Sequence, residues 1–78
     1  MTKIYRIEID AYQGHDETSA VPMTDFFLNK EAAEETLETI NRLTYNELNN
    51  MLANAGAYLA KYHFGLNKPY IEEYYLLD

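Results

Sequence analysis

The chain contains no cysteine and no tryptophan. Without thiols it has no disulfide framework, no cysteine-ligated zinc or iron–sulfur site and no thiol nucleophile. Glycine occurs three times and proline twice, and no Gly-rich phosphate loop or Gly-x-Ser-x-Gly elbow can be found. Bases are scarce: six Lys and Arg stand against 13 Asp and Glu, giving a formal charge of −7 and a pI near 4.6. Nucleic acids and anionic membranes are held by clustered Lys and Arg, so this balance argues against either as a direct ligand. No unbroken apolar run exceeds the length of Ala57–Ala60, far short of the roughly 20 residues that a membrane helix needs. Met1–Arg6 carries charge through its first apolar stretch and has no small-residue cleavage site, so it does not read as a signal peptide. A soluble cytoplasmic protein is expected.

What remains is a chain of 78 residues, 47% apolar, with eight tyrosines and three phenylalanines. That composition is too rich in apolar and aromatic groups for disorder. The length suits one domain, residues 1–78, of a size that buries about 60% of its unfolded surface. It leaves no room for an interdomain cleft.

Lys3 to Ala11 alternates, with Tyr5, Ile7, Ile9 and Ala11 on one side and Arg6, Glu8 and Asp10 on the other. Period two predicts a half-buried strand. Tyr12 to Pro22 reads as a polar loop and Met23 to Leu28 as a second strand. Asn29 then offers an N-cap to a helix whose inner stripe is Ala33, Leu37 and Ile40. Thr44-Tyr45-Asn46-Glu47 has the form of a capping box, which stops the first helix near Arg42 and starts a second. Leu48, Met51, Leu52, Ala55, Leu59 and Tyr62 continue an apolar stripe as far as Gly65, read as the residue after the helix C-cap. Tyr70 to Leu77 reads as a final strand, apolar on both faces. The expected fold is α+β: a three-stranded sheet with two antiparallel helices on one face, in the order ββααβ. The regular first strand belongs at the centre, in a 2-1-3 order, with the last strand parallel to it through a right-handed helical crossover. A wholly antiparallel 1-2-3 sheet is the alternative.

The only histidine next to carboxylates is in His15-Asp16-Glu17, whose consecutive side chains point apart and so read as a solvated loop rather than a metal site. Paired carboxylates such as Glu34 and Glu38 share an exposed ridge with nothing to enclose a substrate. No catalytic residue, no metal and no cofactor is expected. The pattern with most content is the ridge itself: Glu31, Glu34, Glu35 and Glu38 gather on the face opposite the apolar stripe. It is either an ordinary solvated helix face or an electrostatic surface for a basic partner. Glu72 and Glu73 add charge on the last strand, where Tyr74 and Tyr75 supply amphipathic contact area of the kind enriched at interfaces. Only one of these two tyrosines can lie under the helices, and the other is the better contact. Ala53, Gly56, Ala57 and Ala60 form a small-residue face, expected to pack closely on the first helix or on a second copy in a homodimer.

The layout resembles that of small phage and mobile-element proteins. A strand and a polar loop lead into Phe27-Leu28-Asn29-Lys30-Glu31-Ala32-Ala33-Glu34-Glu35, and a Tyr/Glu-rich strand closes the chain. Among such proteins are the anti-CRISPR inhibitors, which bind CRISPR effector complexes and often occupy sites meant for DNA. The resemblance implies a non-enzymatic inhibitor acting on a basic protein surface such as that of a CRISPR effector complex. A small self-assembling structural or adapter protein is the alternative.

Overall fold

The computed structural model describes residues 1–14 and 16–77. Its elements are β1 (Thr2–Tyr12), β2 (Thr18–Pro22), α1 (Lys30–Ile40), α2 (Tyr45–Ala53) and β3 (Tyr70–Leu76), with a 3₁₀ turn at Lys61–His63. The order ββααβ and the α+β class stand as read from the sequence, and the sheet order is β2-β1-β3. Among the described residues no helix is long and apolar enough to cross a membrane.

Both sheet pairings are antiparallel, which corrects the parallel pairing expected for β3. The reason is the path after β2. The chain continues beside β1 beyond Pro22, and Phe27 exchanges backbone hydrogen bonds with Tyr5 at 2.9 and 2.6 Å. Pro22 faces Glu8 and Phe27 faces Tyr5, so two extra residues are accommodated between these pairs. Within this bulge the Ile7 amide donates to the Thr24 hydroxyl instead of to a backbone carbonyl. The chain thus enters α1 near the start of β1. After the helices it returns to the far end, where Tyr58 and Tyr12 exchange backbone bonds. From there β3 descends, with Tyr70 opposite Glu8 and Leu76 opposite Thr2.

Three other expectations are corrected. The second strand is Thr18–Pro22, inside the expected loop, whereas Met23–Leu28 forms the bulge and its bridge. Helix α2 ends at Ala53, not near Gly65. Gly56 takes φ +69°, open to glycine and strained for other residues, and the chain runs extended beyond it. Ala57 and Leu59 are still buried, now by alternation rather than helical period, and Tyr58 and Tyr62 stand exposed at 55% and 70%. Ala53, Gly56, Ala57 and Ala60 therefore share no helix face.

The core lies on the side of the sheet carrying the odd-numbered residues of β1. Ile7, Ile9, Ala11 and Val21 meet Ile40 of α1, Leu48 and Leu52 of α2, and Ala57 and Leu59. Tyr45 and Asn49 hold the extended segment against α2. The Tyr45 hydroxyl donates to the Leu59 carbonyl at 2.7 Å, and the Leu59 amide donates to the Asn49 side chain at 2.7 Å. The even-numbered residues of β1 face the other way, on a side of the sheet away from this core.

Candidate functional site

Helix α1 presents the acidic ridge. The Asn29 side chain accepts from the amides of Glu31 and Ala32 at 2.8 and 3.3 Å, which fixes where the helix starts. With Ala33 and Ile40 buried, the helical period turns Glu31, Glu34, Glu35 and Glu38 outward, and all four are exposed. Glu38 pairs with Arg42 at 2.8 Å across one turn, both ends well solvated. Among the described residues Glu31, Glu34 and Glu35 make no ion pair. Four carboxylates over seven residues of rise amount to about one charge per 3.5 Å of helix axis, close to the one phosphate per 3.4 Å of a DNA strand.

The second surface is the far side of the sheet. There Glu8 is buried, at 3% exposure, and faces Arg6, its neighbour but one along β1. The Arg6 guanidinium reaches Glu8 at 2.9 Å and lies against two rings, 4.6 Å from the centre of Phe26 and 5.2 Å from that of Tyr74. The rings meet edge to face at 5.5 Å. The Tyr74 hydroxyl completes the cluster by donating to the Glu8 carboxylate and accepting from Arg6. Burial alone would lower the Arg6 pKa, but its bonds to Glu8 and Tyr74 outweigh that and raise it. The Tyr74 hydroxyl is raised, first by its bond to Glu8 and then by desolvation, against the pull of Arg6.

Further along the same face, Tyr12 stacks on Tyr58 at 5.2 Å and its hydroxyl meets that of Tyr62 at 3.1 Å. That hydroxyl contact, followed by desolvation, pushes Tyr12 up to about 12. His63 packs against Tyr62 and Tyr12, with its Nδ1 buried and without a hydrogen-bond partner among the described residues. Asp10 lies between the two clusters and is exposed. The Tyr70 hydroxyl points at its carboxylate from 3.5 Å, and Asn67 donates to its backbone carbonyl at 3.0 Å. Burial, and then Asp10, Glu8 and Glu72, raise the Tyr70 pKa.

These placements divide the candidate residues between two surfaces. Glu31, Glu34, Glu35 and Glu38 project from α1 on the helical side. Glu72 and Tyr74 belong to the far side of the sheet, in the row of Arg6, Glu8 and Asp10. Glu73 and Tyr75 alternate with them toward the helical side: Glu73 pairs with Lys3 at 3.6 Å, and Tyr75 is 56% exposed. Tyr74 is thus the tyrosine turned away from the helices. Sequence reading missed Arg6, Tyr12, Phe26 and Tyr70 as site residues. The strand alternation that sets Arg6, Glu8 and Asp10 on one face was its available signal.

Two hollows open on the surface of the described residues. One, of about 420 Å³, opens at the bulge and is lined by Arg6, Thr24, Asp25, Phe26, Met51 and Asn54. The other, of about 270 Å³, lies between Ile40, Leu43, Leu48, Phe64 and Pro69. Neither brings together a nucleophile, a base and an oxyanion donor. Among the described residues no group of three His, Asp or Glu side chains could hold a metal. His15, the histidine of the His15-Asp16-Glu17 loop, lies outside the described residues. No protein-family model matches the chain, and no curated protein or solved structure matches it.

Proposed function

We propose that this chain is a non-enzymatic binding protein of the phage inhibitor type, anti-CRISPR-like, that occupies a Lys/Arg-rich surface of a nucleic-acid-handling complex. The observation that carries this reading is the α1 ridge. Among the described residues Glu31, Glu34 and Glu35 have no ion pair, and the four carboxylates average, along the helix axis, the spacing of phosphates along a strand. A groove built for nucleic acid would gain favourable pairings with such a row and would then be closed to its substrate. Of the β3 tyrosines, Tyr75, exposed on the helical side of the sheet, would serve as a partly desolvated anchor on the same side as the charge.

The test uses purified CRISPR effector complexes and labelled target DNA in a mobility-shift competition. The expected result is displacement of DNA by the protein, weakening steeply with salt. The variant E31Q/E34Q/E35Q/E38Q should fold normally and lose about tenfold or more in competition. Binding that is insensitive to salt, or unaffected in that variant, would overturn the reading.

A second reading, a small self-assembling structural or adapter protein, is favoured by the outer edge of β3. Tyr5 and Ile7 spend their backbone groups on the β2 side, so Arg6 and Glu8 turn theirs to β3. That leaves the amides and carbonyls of Ile71, Glu73 and Tyr75 facing outward, beside exposed Leu76 and Leu77. A mass that grows with concentration in light scattering supports assembly through this edge, and a strict monomer removes it.

A further inference from the structure

We infer that Asp10, with Tyr58, Tyr70 and Tyr12 around it, is a seat for an arginine side chain of the basic partner. This rests on the reading that the chain binds such a partner, and names the chemistry of one contact.

The fold itself holds a guanidinium in this way one step along the strand. Arg6 lies against the rings of Phe26 and Tyr74, with the Glu8 carboxylate accepting from it and the Tyr74 hydroxyl donating to the same carboxylate. The parts recur around Asp10. A tyrosine hydroxyl, that of Tyr70, points at the carboxylate. Aromatic rings share its side of the sheet: Tyr12 stands next but one along β1, and Tyr58, opposite Tyr12, stacks on it. Only the cation is missing: among the described residues no Lys or Arg pairs with Asp10.

Register explains why there is room. On the β3 side of β1, Tyr58 stands opposite Tyr12 and Tyr70 opposite Glu8; between them Asp10 faces no strand residue, only the Asn67 amide that bonds its backbone carbonyl and leaves its carboxylate exposed. On the β2 side Asp10 faces Ala20, whose methyl group cannot fill the space above the sheet. A planar guanidinium can stack on a ring while bonding a carboxylate in its own plane, and an ammonium cannot do both. The occupant is therefore arginine rather than lysine.

The experiment titrates the full chain with labelled oligo-arginine and oligo-lysine of equal length at low salt, read by fluorescence anisotropy. Oligo-arginine is expected to bind about tenfold tighter. Asp10→Asn, nearly isosteric, should bring it within about twofold of oligo-lysine; Tyr58→Ala should do the same through the ring. E34Q/E35Q, remote on α1, should weaken both peptides alike. Equal binding of the two peptides, or an arginine preference that survives Asp10→Asn and Tyr58→Ala, overturns this inference while the basic-partner reading stands. Failure of both peptides to bind overturns the two together.

Discussion

The Arg6 guanidinium and the Glu8 carboxylate, two positions apart on the central strand, meet at 2.9 Å on the side of the sheet away from the helices. Glu8 is almost wholly buried, while about a quarter of the Arg6 side chain still reaches solvent. A buried carboxylate without a partner is costly, so the pair constrains its surroundings even where its net contribution to stability is small.

Arg6→Met is therefore expected to destabilise the fold by about 2 kcal/mol, less than for a fully buried pair because Arg6 is partly solvated. Adding Glu8→Gln should restore more than half of the loss, since an amide oxygen still accepts from Tyr74 and carries no charge. With no tryptophan to report unfolding, urea titration followed by far-UV circular dichroism is the measurement. A double variant no more stable than Arg6→Met would show that charge is not the cause.

The capping box of α2 gives a pH-dependent contribution. Thr44 accepts from the Glu47 amide at 3.2 Å and its own amide donates to the Glu47 carboxylate at 2.8 Å. The Thr44 backbone bond, with the side-chain bond behind it, lowers the Glu47 pKa from its ordinary 4.5. The stabilisation is complete above the unfolded value and disappears as pH falls through the lower folded one. Thr44→Ala should cost about 1 kcal/mol at neutral pH. The gap in stability between wild type and Glu47→Gln should narrow on acidification. A gap that is constant across that window would count against the assignment.

Tyr12 gives the opposite sign. Its hydroxyl, bonded to Tyr62, is held up to about 12 against an ordinary 10.0, so folding favours the neutral phenol. That contribution is present below pH 10 and is lost as pH rises toward 12. Absorbance titration of tyrosinate should lose one late-ionising group in Tyr12→Phe. In Tyr62→Phe the same group should ionise earlier. An unchanged alkaline profile in Tyr62→Phe would mean that the hydroxyl contact does not form in solution.

Local chemistry was legible in the sequence where one residue decides it. Asn29 and the Thr44–Glu47 box mark helix starts through side chains that reach amides within three residues, and β1 alternates over its whole length. The second strand was not legible, because Thr18–Pro22 buries only Val21 and its polar, edge-like residues resemble a loop. Beyond Ala53 two periods compete: Ala55 and Leu59 fit a helix, and Ala57 and Leu59 fit a strand. The positive φ of Gly56 decides between them, and Tyr45 and Asn49 anchor the outcome from α2. The α1 ridge could be read from periodicity alone. The Asp10 seat could not, since the gap between Tyr58 and Tyr70 depends on where two distant segments dock on β1.

The pairing of β1 with β3 joins residues as far apart as Thr2 and Leu76. During synthesis the central strand precedes both helices and gains its second neighbour only after they have emerged. Until then Arg6 and Glu8 have each other but not the ring of Tyr74. Closing so long a loop precedes the reward from its contacts, so docking of β3 should set the folding rate. Substitutions on β3 would then slow folding, whereas those in the helix caps would mainly speed unfolding.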